Sequence, residues 1–257
     1  MNIKELIKKY FIPFCSEMGC TFIFGFLVYA SIIGANQIES PAVPVIVGLT
    51  IAFGSIAIIY TFRFICPAHF NPAITFAAIV FLKINLIDGI IFIIAQLCGF
   101  MIAAGVVLGC FPENRFFKLN LIRPKAASPE VSYGNIICTE IFLTGILVFV
   151  AFAVGINPFK EWQANPEEIK KQGRKPTDES YIAPLAIGLT LGFLAFCGLS
   201  SSGGVFNPGI VWAPVLFTGN WRFTWQYWIG EFVGGVCGAG LQIFLVNRNI
   251  FPDVSVV

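Results

Sequence analysis

The chain has 257 residues, of which 57% are hydrophobic and 12% charged, with a mean hydropathy of +0.82. Soluble domains carry about 25% charge, and a soluble core of this length could not hide so much apolar side chain, so lipid is the expected solvent. The net charge of +2, with Lys and Arg at segment ends, excludes a nucleic-acid surface, and one His with scattered carboxylates argues against a metal site or a cofactor.

The amino terminus, Met1-Asn2-Ile3-Lys4-Glu5, is charged and leads directly into an apolar stretch. It shows no small-residue cleavage site, so it reads as a retained first helix. A membrane-crossing helix needs about 20 mainly apolar residues. Six stretches qualify: Ile12 to Gly34, Ala42 to Phe62, Leu86 to Cys110, Tyr133 to Ile156, Tyr181 to Leu199 and Thr224 to Val246. Two more apolar stretches, Asn71 to about Phe81 and Asn207 to about Phe217, are too short to cross. They are expected to enter the membrane and turn back, which lipid tolerates only where protein or water covers the loose backbone. The connection Phe111 to Ser132 reads as a polar loop, and Asn157 to Ser180, the most hydrophilic stretch, as a solvated one. The eight cysteines fall mostly in apolar runs (Cys20, Cys98, Cys138, Cys197, Cys237), where Cys acts as a small buried hydrophobe, and no disulfide framework is expected.

Both short stretches open on the same phrase. His69-Phe70-Asn71-Pro72-Ala73-Ile74-Thr75 returns as Val205-Phe206-Asn207-Pro208-Gly209-Ile210-Val211. Pro suits the first turn of a helix, where its missing N–H costs nothing, and Asn before it is a good N-cap. Each phrase therefore predicts a short helix with an Asn at its positive end. A lone Asn-Pro such as Asn157-Pro158 marks only a turn.

The duplication extends further. Cys15-Ser16-Glu17 with Thr21 matches Cys138-Thr139-Glu140 with Thr144, and Ile94-Ala95-Gln96-Leu97 with Gly99 resembles Ile229-Gly230-Glu231-Phe232 with Gly234. Each half reads helix, helix, half-helix, helix. Three crossings per half is odd, so the second half is inverted, and such repeats place their site near the midplane, where interrupted helices meet. The fold class is an all-α membrane protein: a single domain of six transmembrane helices and two half-helices, with repeats at about 11–110 and 133–247. Glu17 and Glu140 are carboxyls inside apolar spans, which is costly. They are expected to accept hydrogen bonds from the neighbouring half-helix loops, a proton relay being the alternative.

Six crossings put both termini on one side. Lys4, Lys8, Lys9, Arg63, Lys83, Lys160, Lys170, Lys171, Arg174, Lys175 and Arg248 share that side; Arg115, Lys118, Arg123, Lys125 and Arg222 lie opposite. The positive-inside rule makes the termini cytoplasmic, in the plasma membrane or an intracellular one.

Six spans, inverted halves and two Asn-Pro half-helices resemble the aquaporin family, also called major intrinsic proteins, over nearly the whole chain. Asn71-Pro72-Ala73 fits the family motif; Asn207-Pro208-Gly209 departs from it in its last residue. The resemblance implies a homotetramer in a lipid bilayer, with a pore in each protomer. It implies that Asn71 and Asn207 meet at the pore centre and donate to a passing water or hydroxyl. The permeants would be water and small neutral solutes such as glycerol or urea, with ions and protons excluded. It also implies an outer filter of an aromatic, a His, a small residue and an Arg. Counting without gaps, those places hold Ile51 (or Phe53), Ala195, Gly204 and Ile210, so the filter reads as wide and apolar. The alternative is that Phe206, Trp212 or Phe196 fills the space. Gly204 lacks the thiol that confers mercury sensitivity in the family. His69 would brace the loop beside Asn71, with a pH-sensing role as the alternative. Two other readings stay open: a secondary transporter, which needs a coupling-ion site among Glu17, Glu140 and Glu231, and a closed membrane scaffold. No nucleophile, base and orienting group are spaced as in an enzyme.

Overall fold

A computed structural model describes residues 2–157, 166–171 and 181–246, so most of the charged Asn157 to Ser180 connection lies outside the described residues. Helix α1 runs Ile3–Gln37. It starts nine residues before the apolar stretch, at Ile3 rather than Ile12, because Asn2 and Glu5 form a reciprocal capping box. Its turns widen to a π-helix over Ile7–Phe11, just ahead of Pro13. A proline ring clashes with the carbonyl four residues back, and the widened turn accommodates it. Then come α2 (Val43–Phe62), the half-helix α3 (Pro72–Val80) and α4 (Leu86–Cys110).

Helix α5 (Arg115–Ile122) departs from the sequence reading, which had a polar loop there. Asn114 caps it, and it turns Leu119 and Ile122 into the core. Lys118, 3% exposed, donates to the carbonyls of Leu108 and Phe111 at the end of α4, each at 2.6 Å. The last carbonyls of a helix lack partners, and a cation there is also favoured by the helix dipole. This lysine closes α4; it does not serve only as a surface charge.

The second half comprises α6 (Tyr133–Ile156), the short α7 (Pro166–Lys171), α8 (Ala183–Cys197), the half-helix α9 (Pro208–Thr218) and α10 (Thr224–Val246). Among the described residues, five helices (α1, α2, α4, α6, α10) are long and apolar enough to cross a membrane. The sixth span, α8, has 15 residues, about 22 Å of rise against a hydrocarbon core of about 30 Å.

Helix α1 packs on α4, α2 on α8, and α6 on α10, while both half-helices pack against α4 and α10. Lipid gives no hydrophobic drive between helices, so close backbone contact through small residues holds them. A Cβ placed on Gly238 would lie 2.1 Å from the Gly145 carbonyl oxygen, and one on Gly99 2.7 Å from that of Met18. Of the cysteines expected inside apolar packing, Cys20 is buried and Cys98 half-buried, but Cys138, Cys197 and Cys237 lie on exposed helix faces. An apolar run that faces lipid has no need to be interior.

Candidate functional site

Asn71 and Asn207 both adopt extended backbone and cap the half-helix that follows. Their Oδ1 atoms accept from the N–H of Ala73 at 2.9 Å and of Gly209 at 3.0 Å. The substitution of Gly for Ala leaves this cap intact, and a Cβ at Gly209 would meet the Phe100 ring at 2.3 Å. Here the phenyl takes the room that a methyl would need.

The two amides then cross. Asn71 Nδ2 donates to the Phe206 carbonyl at 2.8 Å, and Asn207 Nδ2 donates to the Phe70 carbonyl at 2.9 Å. Each amide nitrogen carries two protons, so one per Asn is committed to the facing motif and one remains. Phe70 and Phe206 pay for this geometry in backbone strain, with φ of 33° and 39°. Positive φ is a genuine outlier for a bulky residue and costs about 1–3 kcal/mol. Matched strain at matched positions shows that both loops are held from outside.

Buried acids hold them. Glu17 Oε1 accepts the Phe70 N–H at 2.8 Å and the Gln96 Nε2–H at 2.9 Å. Glu140 accepts the Val205 N–H at 3.1 Å on one oxygen and the Phe206 N–H at 2.7 Å on the other. Glu231 Oε1 accepts the Asn207 N–H at 2.9 Å. All three intramembrane carboxyls thus bind backbone N–H groups of the motif loops, which weakens the transporter alternative. His69 Nδ1 sits 3.1 Å from Thr75 Oγ1, which also receives Gln96 Nε2–H at 2.8 Å. The repeat match aligns Gln96 with Glu231, but the sequence alone assigns neither to a motif loop, and names Glu231 only as a possible coupling-ion residue. Tyr29, Tyr227 and Trp228, which donate to the carbonyls of Ile210, Ser202 and Pro208, carry no such signal.

With this geometry in hand, comparison with known proteins is decisive. Residues 7–241 match the family described as major intrinsic protein. The chain belongs to the major intrinsic protein family. It is 50% identical over 251 residues to an aquaporin of Vairimorpha ceranae, covering 95% of this chain and 98% of that one. It is 36% identical to aquaporin-B of Dictyostelium discoideum, covering 94% and 87%. The fold is similar to the X-ray structure of the aquaglyceroporin from Plasmodium falciparum, with a TM-score of 0.68 at 18% identity over 95% of this chain and 98% of that one. Members of the family are channels, and this one is a multi-pass membrane protein that passes water and small solutes passively.

The expected filter positions are only partly brought together. Gly204 lies against Ala195: a Cβ on Gly204 would be 3.0 Å from the Ala195 carbonyl oxygen, and its φ of 69° strains any side chain there. Ile210 is buried and its carbonyl is held by Tyr29 at 2.9 Å. Ile51 is buried on the inner side of α2. Phe53 lies on the opposite side of α2 from Ile51. It is 62% exposed, on an outer stripe with Val45, Leu49 and Tyr60. Two residues on from Ile51 is about 200° around a helix, so the two cannot serve the same opening. The three aromatics considered as fillers are otherwise engaged. Phe206 is fully buried, Phe196 packs over Gly48, and Trp212 stacks with Trp221 and Trp228 at 6.5 and 6.2 Å. Beneath the first motif lies a cavity of about 380 Å³, lined by Ala68, His69, Phe70, Arg63 and Lys83 among others.

Proposed function

We propose that the passage runs between Asn71 and Asn207 and admits small neutral solutes of glycerol or urea size as well as water, while ions and protons are refused. The observation that carries this is the reciprocal bond of each Asn to the other motif, which leaves one amide N–H on each for a passing oxygen. Two half-helix N-termini converge there, each worth roughly +0.5 of an elementary charge. A cation meets that field on top of its dehydration cost, whereas a neutral molecule meets neither. Ile51, Ala195, Gly204 and Ile210 form an outer filter without a charge, since Ile210 stands where an Arg would bring five donors. The chain assembles as a homotetramer, its two repeats span about 11–110 and 133–247, and both termini face the cytoplasm.

Stopped-flow light scattering on vesicles containing the purified protein tests this, with water, glycerol, urea and ammonia compared. Ile210→Arg should lower glycerol flux several-fold while water flux persists. Glycerol flux that is absent in the parent chain, or unchanged in the variant, would remove the wide filter from the proposal.

A further inference from the structure

Beside the first motif, two thiols that no part of the channel reading uses converge on Glu17, the acid that braces the Phe70 loop. Glu17, Cys20 and Cys66 each offer one atom, and these atoms lie within 4.8 Å of one another. All three residues are buried, at 0%, 0% and 7% exposure. They come from two elements: Glu17 and Cys20 are one turn apart on α1, and Cys66 lies in the turn after α2. Their chemistry is that of a soft-metal site, two thiols and a carboxylate.

A second feature lies at the same carboxyl. Glu17 spends one oxygen on Phe70 and Gln96, and its other oxygen, Oε2, is buried without a hydrogen-bond partner. A buried acceptor left unmade is costly, and a bound cation would satisfy it. Cys20 Sγ meanwhile makes a thiol contact to the Glu17 carbonyl at 3.1 Å, which is weak and readily given up.

We propose that Glu17, Cys20 and Cys66 bind one thiophilic divalent cation of the zinc class. Tetrahedral zinc, with Zn–S near 2.3 Å and Zn–O near 2.1 Å, sets its ligand atoms about 3.5–3.8 Å apart. From the 4.8 Å bound, each pair therefore closes by about 1.3 Å at most, within reach of side-chain rotation. Binding releases the two thiol protons to water, so two sulfur anions and one carboxylate meet the dication, and a water completes the fourth position. Access is short. Pro67 and Ala68, which follow Cys66, line the 380 Å³ cavity below the motif. The metal would staple the loop that carries Phe70, and through it Asn71, to α1. This site stands apart from the Gly204 position and does not depend on which solute permeates.

The test uses the full chain with Cys15, Cys98, Cys110, Cys138, Cys197 and Cys237 replaced by Ala, purified under reducing conditions and titrated with Cd2+ by calorimetry. The expected result is one Cd2+ per chain. That ion should be lost on adding Cys66→Ala or Cys20→Ala, and Glu17→Gln should weaken binding by about tenfold or more. Absence of binding, or binding unchanged by Cys66→Ala, overturns the proposal. Should the variants fail to fold, the unaltered chain supplies a second readout: Cd2+ should protect Cys20 and Cys66 from alkylation, followed by mass spectrometry. Equal labelling with and without the metal, or a Cys20–Cys66 disulfide that persists in reductant, overturns it as well.

Discussion

Glu17 and Glu140 occupy matching places in the two halves, yet the structure gives them unequal tasks, and a single conservative change separates them. Glu140 uses both oxygens, one for Val205 and one for Phe206. In Glu140→Gln the amide oxygen keeps one partner, while the new NH2 faces the other backbone N–H and cannot accept it. A hydrogen bond to a charged group contributes about 1.5–3 kcal/mol. For a chain of this size that lowers Tm by about 3–12 °C. Phe206 is the strained residue, so its loop relaxes and the Asn207–Phe70 bond loosens with it. Glu17 uses one oxygen for both Phe70 and Gln96, and the other has no hydrogen-bond partner. Glu17→Gln keeps that one oxygen, so both bonds survive and Tm should move by less than half as much. The assay is thermal unfolding of the detergent-solubilised protein, paired with water flux in vesicles. Equal losses in the two variants, or an unperturbed Glu140→Gln, would refute the claim that the carboxyls act as differently loaded braces.

Gly238→Ala puts a methyl 2.1 Å from the Gly145 carbonyl oxygen and should cost about 1–3 kcal/mol through overpacking, read as reduced yield and Tm. Gly109, which has nothing within 4 Å, is the control and should tolerate Ala. Lys118→Met removes two bonds to the end of α4 and should destabilise by about 1.5–3 kcal/mol, whereas Arg115→Met, on the exposed side of α5, should be near neutral by the same unfolding assay. Phe53→Ala should leave solute flux unchanged, because that side chain faces outward, while Ala195→Trp should reduce glycerol flux; the opposite pattern would return Phe53 to the pore.

Much was legible because it rests on local chemistry. An Asn followed by Pro caps a helix wherever it occurs, so two copies in apolar surroundings located both half-helices, and run length located the spans. Helix α5 escaped because eight residues of mixed character inside a polar connection give no strong periodicity, and only docking on α4 shows that Lys118 is a cap. Ile51 and its rival Phe53 could not be told apart in sequence for a different reason. In water, an apolar stripe tells which side of a helix faces inward. In lipid, both sides of α2 are apolar, so counting along the chain fixes the position of Ile51 and Phe53 but not their phase.

The amino-acid sequence by itself determined the solvent, the duplicated architecture, the capping asparagines and the family, since each follows from composition or from contacts within a few residues. The tertiary structure alone decided which helix face is inward, that the two amides bond across to each other's loops, and that Cys20 and Cys66, 46 positions apart, meet at Glu17. Those facts depend on how helices rotate and pack against one another, and a chain that is apolar on every side records little of that rotation.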